Sequence, residues 1–329
     1  MNADILKRLV RAIAEGSQSD LNRMAQKVVE SERVSGHTRL ANELATILSR
    51  SRNLQKADYL GNERGLRELP ISRRGQEMLT TLLPTDALEH HMVLPPDVEQ
   101  RFARIEQEYA ARERLGAFGL RPRKTVLLYG PPGCGKSLGA KRIAWNTALP
   151  LMKVRFDALI SSFFGESAAN LRAVFDTAKQ RPCVLLLDEC DFIAHSRIGS
   201  KDVGEVSRIV NTLLQLMEEY DAPGLLVATT NLETSLDNAL FRRFDDVFFV
   251  PPPGQIEIDR LLRLTLSSVE VSNRINWNEI VRELEGTSAA MVVKCAMNAA
   301  KAAVLHGKKI VEESHLLTAV VEVRRTPGK

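Results

Sequence analysis

The spacing of apolar positions changes twice along this 329-residue chain. Up to about residue 75 they recur at helical intervals. Ile5, Leu6, Leu9, Val10 and Ile13 form one face; Met24, Val28 and Val29 follow the start signal Ser17-Gln18-Ser19-Asp20; Leu40, Leu44, Ile47 and Leu48 follow Gly36. The pattern predicts three short amphipathic helices in a small bundle. Between about 60 and 95, Gly61, Gly65, Pro70, Gly75, Pro84, Pro95 and Pro96 interrupt it, as in a linker with one or two short helices. Pro96–Arg114 then reads as a helix. From 125 to 250 near-continuous apolar runs alternate with helical segments, and the runs predict strands at Thr125–Tyr129, Leu151–Phe156, Val184–Leu187, Leu225–Thr229 and Val247–Val250. Runs of this kind suit parallel strands buried on both faces, so the expectation is an α/β fold, a doubly wound five-stranded parallel sheet. Beyond Pro251-Pro252-Pro253-Gly254 the texture is helical, at about 255–268, 277–284, 288–305 and 312–323. The expected organisation is a helical region at 1–75, a linker at 76–95, an α/β domain at 96–253 and a helical domain at 254–329.

Bulk properties narrow the class only modestly. The composition, 44% hydrophobic and 26% charged, is that of ordinary globular proteins. The net charge of +4 and 5% aromatic content give little support to a nucleic-acid footprint. Residues 1–74 carry 14 Lys or Arg against 9 Asp or Glu, an excess that marks either an acidic partner or a solvated helix face. No apolar run has the length of a membrane span and no signal-peptide core is visible, so no membrane partner and a cytoplasmic location are expected. Cys134, Cys183, Cys190 and Cys295 have no C-x-x-C spacing and read as reduced small residues.

The chemistry concentrates at the first predicted strand. Gly130-Pro131-Pro132-Gly133-Cys134-Gly135-Lys136-Ser137 follows Thr125–Tyr129 and precedes Leu138-Gly139-Ala140-Lys141-Arg142-Ile143-Ala144. This is G-x-x-x-x-G-K-[ST] in its strand–loop–helix setting. The glycines let backbone N–H groups turn inward on phosphate oxygens, and the helix start adds partial positive charge. Lys136 then reaches the β- and γ-phosphates and the Ser137 hydroxyl ligates Mg²⁺. The predicted ligand is a nucleoside triphosphate. About fifty residues later, Val184-Leu185-Leu186-Leu187-Asp188-Glu189 brings an acidic pair to a strand end. Asp188 is expected to hold Mg²⁺, directly or through water, and Glu189 to activate the attacking water. Asp191 nearby reads equally as a helix cap.

These segments resemble the AAA ATPases, ring-forming P-loop motors. The likeness runs from about Arg121 to Val250. It covers Leu128 to Ser137, Phe164-Gly165-Glu166-Ser167 with Asn170-Leu171-Arg172, Leu187-Asp188-Glu189-Cys190-Asp191, and Ala228-Thr229-Thr230-Asn231 with Leu236-Asp237-Asn238-Ala239-Leu240-Phe241-Arg242-Arg243-Phe244-Asp245. The helical C-terminal region matches the family's lid more loosely, and the first ninety residues do not match.

The resemblance implies an ATP hydrolase using Mg²⁺. Pro132, Gly133, Cys134, Gly135, Lys136, Ser137 and Leu138 would surround the phosphates. Asn231 is similar to the first sensor of the γ-phosphate. Arg242 and Arg243 are similar to arginine fingers acting on a neighbouring subunit, which implies a homo-hexamer; which of the two matters more stays open. Phe163 and Phe164 stand where the family grips a threaded polypeptide, with Ser162 in place of a commoner lysine, and Arg197–Lys201 stands at the second pore segment. The family signature that cradles adenine is missing. His91-Met92-Val93-Leu94, through Met92, is the candidate wall, and Gly286-Thr287-Ser288-Ala289-Ala290, through Ala289, faces it from the lid without a second-sensor arginine. The implied function is to unfold, thread or remodel protein substrates, with the N-terminal helices choosing a target, adaptor or separately encoded protease. The alternatives are nucleic-acid handling and an ATP-dependent assembly scaffold.

Overall fold

The computed structural model describes residues 69–71, 77–161, 166–191, 203–231, 241–307 and 310–325. The chain divides into two units, Met1–Leu69 and Pro70–Lys329. The predicted N-terminal helices lie outside the described residues, and every described element belongs to the second unit.

In order, these elements are β1 (Thr80–Leu83), α1 (Pro96–Ala110), α2 (Arg112–Ala117), β2 (Thr125–Tyr129), α3 (Lys136–Asn146), β3 (Leu151–Val154), α4 (Phe156–Ser161), α5 (Ser167–Gln180), β4 (Val184–Leu187), α6 (Val203–Glu218), β5 (Leu225–Thr230) and β6 (Asp246–Phe249). The C-terminal part holds α7 (Gln255–Thr265), β7 (Glu270–Val271), α8 (Trp277–Glu283), α9 (Ala289–Leu305), β8 (Ile310–Val311) and α10 (Glu313–Arg325).

The sheet has the order β1-β3-β4-β5-β2-β6. The five predicted strands pair in parallel. A sixth, β1, lies antiparallel along β3 in the register Thr80↔Val154 to Leu83↔Leu151. It comes from the stretch read as a linker, whose prolines and glycines flank rather than interrupt the Thr-Thr-Leu-Leu run. Burial explains why the inner strands are apolar throughout: Val126–Leu128, Val184–Leu187 and Leu225–Val227 are all inaccessible or nearly so.

Helix α1 covers one face, setting Phe102, Ile105 and Val98 against Val126, Leu128, Ile143 and Phe248. Its seat on α3 is polar as well as apolar. Arg142 donates to both carboxylate oxygens of Glu99, each at 2.6 Å, and to Glu106 at 3.0 Å, and stacks over the Phe102 ring. This bidentate geometry is the strong form of an ion pair. Gly139 on α3 makes the approach possible, because a methyl there would meet Phe102 Cζ at 2.7 Å.

The C-terminal helices form a separate core from Ile258, Leu262, Ile280, Leu284, Val292, Cys295, Leu316 and Val320. β7 and β8 join it as a two-stranded parallel ribbon. All four cysteines are free and buried; burial pushes the thiols of Cys183 and Cys295 up to about 12. No helix among the described residues is long and apolar enough to cross a membrane.

Candidate active site

Three neighbouring strands, β2, β5 and β4, end side by side at one sheet edge, where ligands bind in open α/β sheets. Each ends in a segment that carries chemistry. After β2 the loop turns through Gly130, Gly133 and Gly135, with φ of 144°, 76° and 97°. These values favour glycine, and Gly130 also lies so close to the Val250 carbonyl that no Cβ fits. Gly135 then opens α3, directing the helix N-terminus into the loop. Pro132 and Gly133 are exposed on the rim, Cys134 is buried beneath, and Leu138 is partly buried in the first turn of α3.

Lys136 is buried, its ammonium donating at 2.7 Å to the carbonyls of both Gly130 and Pro131. Burial pulls its pKa below the usual value, against the charges of Cys134, Asp191, Asp188 and Glu189. The lysine therefore sits folded back on its own loop, within the cradle a triphosphate would fill.

From β4, Asp188 lies 2.6 Å from the Ser137 hydroxyl and 2.7 Å from that of Thr229, both donating to Oδ1. Lys153 on β3 donates to Oδ2 at 2.6 Å. Burial alone would raise the Asp188 pKa, but the Lys153, Ser137 and Thr229 donors outweigh it and hold the carboxyl below its usual range. A carboxylate and a hydroxyl side by side are the hard oxygen donors that Mg²⁺ takes, with phosphates and water completing the shell. The residues fit the ion; no cluster of three or more acidic, His or Cys ligands exists among the described residues to hold it otherwise.

Glu189 follows in the left-handed region at φ 57°, exposed, its backbone N–H bonded to Thr229 Oγ1 at 2.9 Å. Such a backbone costs a non-glycine residue about 1–2 kcal/mol. Thr229 thus grips the acidic pair twice, donating to Asp188 and accepting from Glu189. At the end of β5, Asp191 accepts from Thr230 Oγ1 at 2.6 Å, from the Asn231 N–H at 2.9 Å and from Asn231 Nδ2 at 3.0 Å. Asp191, open in the sequence between two readings, is an anchor that fixes the Asn231 amide at the end of β5.

Two further elements touch the loop. Met92 brings its Cε within 3.2 Å of where a Gly135 Cβ would stand. From the C-terminal part, the Ala290 N–H donates to the Gly133 carbonyl at 3.0 Å, and Ser288 Oγ lies 2.7 Å from a Gly133 Cβ position. Burial raises the Cys134 thiol pKa against the Lys136 charge and a backbone hydrogen bond from Ala289. Met92 and Ala289 thus flank the phosphate loop, Met92 packed on the sheet core while its neighbour Val93 packs on the core of the C-terminal helices.

The arginine pair lies elsewhere. Arg243 donates to the Leu214 carbonyl at 2.8 Å and to Glu218 at 2.9 Å, on the last turn of α6. Asp245 accepts from the N–H groups of Lys124 and Thr125 at 2.8 and 2.9 Å, at the start of β2. That anchors the segment at the sheet edge opposite the phosphate loop. Arg242 is exposed and Arg243 only partly so. Phe163, Phe164, Arg197–Lys201 and Leu236–Leu240 lie outside the described residues. Lys153 and the gripping role of Thr229 were missed in the sequence; the visible signals were a lysine breaking an apolar strand and the Thr229-Thr230-Asn231 run.

A glycine-lined phosphate cradle, a lysine within it and an aspartate-glutamate pair at the adjoining strand end define a P-loop nucleotide hydrolase. The comparisons with known proteins make this specific. The ATPase family associated with various cellular activities (AAA) matches residues 126–252. An uncharacterized AAA family ATPase of Sinorhizobium fredii is 38% identical over 226 residues, covering 68% of this chain and 68% of that protein. Two proteasome-activating nucleotidases are also similar: that of Methanosarcina mazei is 30% identical over 238 residues, 70% of this chain and 56% of its own length. That of Methanoculleus marisnigri is 31% identical over 253 residues, 75% and 61%. The chain thus spans under two thirds of the nucleotidases it matches. The chain belongs to the AAA family of ATPases and is an ATP hydrolase.

Proposed function

We propose that the chain is a protein-remodelling motor: a homo-hexameric ring that hydrolyses ATP to unfold, thread or disassemble protein substrates. Lys136 leaves its loop carbonyls to hold the β- and γ-phosphates, while the loop N–H groups of Gly133, Cys134 and Gly135 bind phosphate oxygens. Ser137 and Asp188 would hold Mg²⁺, which when bound would supply charge neutralisation at the phosphates. Glu189 takes the proton of the attacking water, and Asn231, oriented by Asp191, reads the γ-phosphate. The base lies between Met92 and Ala289, so the Ala290–Gly133 hydrogen bond couples nucleotide occupancy to the lid.

One observation carries the composite site. Arg243 and Asp245 are anchored at the sheet edge opposite the phosphate loop, which supports an arginine delivered to a neighbour's γ-phosphate rather than to its own. Between the two, exposed Arg242 is the finger and Arg243 its fixed support. Similarity to proteasome-activating nucleotidases across 238 and 253 residues supports protein substrates, and a separately encoded protease as one partner class. Phe163 and Phe164 grip the threaded chain, residues 1–75 select the target or adaptor, and the four free thiols suit a cytoplasmic setting.

The test is the mass of the Glu189→Gln protein in ATP, with its behaviour as an unfoldase. The expected species is six times the 36.6 kDa chain mass, with ATP bound and unhydrolysed. Phe163→Ala is expected to keep ATPase activity and lose unfolding of a fluorescent protein substrate. A Glu189→Gln monomer in saturating ATP would contradict the ring, and unfolding that survives Phe163→Ala would contradict the grip.

A further inference from the structure

Lys153 has no place in the AAA motifs matched in this sequence, yet its ammonium touches the acidic pair directly. It stands on β3, in register with Leu186 of β4, so it lies two residues short of Asp188 along the neighbouring strand. The ammonium lies 2.6 Å from Asp188 Oδ2, while the two hydroxyls take Oδ1. Asp188 is almost buried, its side chain 9% exposed, whereas that of Lys153 is 45% exposed. The carboxylate is thus fixed and the lysine is not: a flexible four-carbon stem with open solvent on one side leaves without moving the strand. Lys136, a second cation of the site, is turned away onto the carbonyls of Gly130 and Pro131. Without Lys153, a nearly buried carboxylate would await the nucleotide with only two neutral donors, which is costly for a desolvated charge.

We infer that Lys153 is a resident counter-ion, holding Asp188 in place before nucleotide binds and displaced from Oδ2 when Mg²⁺ arrives with ATP. An ammonium and a divalent cation on one carboxylate oxygen repel each other at contact distance, so the two are alternatives. Lys153 is therefore a positioning residue that sets how much Mg²⁺ the site requires, and its release accompanies loading. The inference rests on the reading that Ser137 and Asp188 hold the ion.

The experiment measures the Mg²⁺ concentration at half-maximal binding of a fluorescent ATP analogue to the full chain, in wild type, Lys153→Met, Lys153→Arg and Ser137→Ala. Lys153→Met keeps the stem and removes the charge, and its midpoint is expected to fall about threefold or more, the coupling of a half-exposed ion pair. Lys153→Arg, which keeps the charge, is expected to retain a midpoint near that of wild type. Urea unfolding of each variant separates loss of fold from loss of competition, since a purely structural lysine would lower stability without moving the Mg²⁺ midpoint. An unchanged or raised midpoint in folded Lys153→Met overturns the counter-ion. Mg²⁺ dependence that is absent in wild type, or unaffected by Ser137→Ala, overturns the metal reading instead, so the two failures are distinguishable.

Discussion

Thr229→Val removes two hydrogen bonds and almost no volume, which makes it the sharpest probe of how the acidic pair is held. In the native site the hydroxyl donates to Asp188 Oδ1 at 2.7 Å and accepts from the Glu189 N–H at 2.9 Å. The bond to the carboxylate is charge-assisted and the one from the N–H is not, so their joint loss should cost about 2–4 kcal/mol of stability. The functional effect exceeds the structural one. Glu189 sits at φ 57°, a strained conformation that should relax toward extended once its N–H is released, turning its carboxylate away from the water it is proposed to activate. Losing such a supporting partner should lower kcat by about 10–100-fold while ATP affinity stays within a few-fold, because Lys136 and the loop are untouched. Thr229→Ser keeps the hydroxyl and should recover most of the rate. Urea unfolding, titration with a fluorescent ATP analogue and steady-state turnover read the three quantities. A folded Thr229→Val protein with kcat within about twofold of wild type would refute the reasoning.

Four further outcomes are expected. Arg142→Ala leaves Glu99 and Glu106 without their shared cation at the seat of α1 on α3, and should destabilise the protein by about 3 kcal/mol in urea unfolding. The hydrogen bond from Arg142 holds Glu99 below its usual value of 4.5 against partial burial. A depressed carboxyl contributes stability above its unfolded pKa and loses it as pH falls through the folded one, so the Glu99→Gln deficit should be constant above about pH 5 and shrink in more acid solution. Gly133→Ala sets a methyl 2.7 Å from Ser288 Oγ at φ 76° and should abolish tight ATP binding, with partial recovery in Gly133→Ala/Ser288→Gly; no recovery would mean the lid does not press on the loop. Arg242→Ala should lose turnover at unchanged stability, whereas Arg243→Ala should lower the unfolding midpoint by releasing Glu218 and Leu214.

The parts legible in the sequence were those governed by local chemistry. Buried parallel strands announce themselves as apolar runs, so β2, β4 and β5 are observed at or within one residue of their predicted bounds. The phosphate loop needs glycine at fixed steps, and Lys136 and Ser137 follow from it. The edge strand β1 was hidden because Thr80–Leu83 is short and enclosed by linker-like residues, and its pairing with β3 joins segments some seventy residues apart. Distance along the chain also hid the site's supports. Nothing near Lys153 in sequence points to Asp188, and only the parallel register of β3 on β4 brings them together. Asp191 reads equally as a site residue or a helix cap in the sequence, because its partners, Thr230 and Asn231, lie about forty residues on.

The central claim is that one subunit's phosphates are completed by another's arginine, and mixing two inactive variants tests it most directly. Lys136→Ala should bind no ATP while keeping its arginines, and Arg242→Ala should bind ATP while lacking the proposed finger. Each alone should be inactive, and the mixture, in rings shown to exchange subunits, should recover a measurable fraction of wild-type ATPase activity. Exchanged rings that stay as inactive as either parent would contradict the shared site.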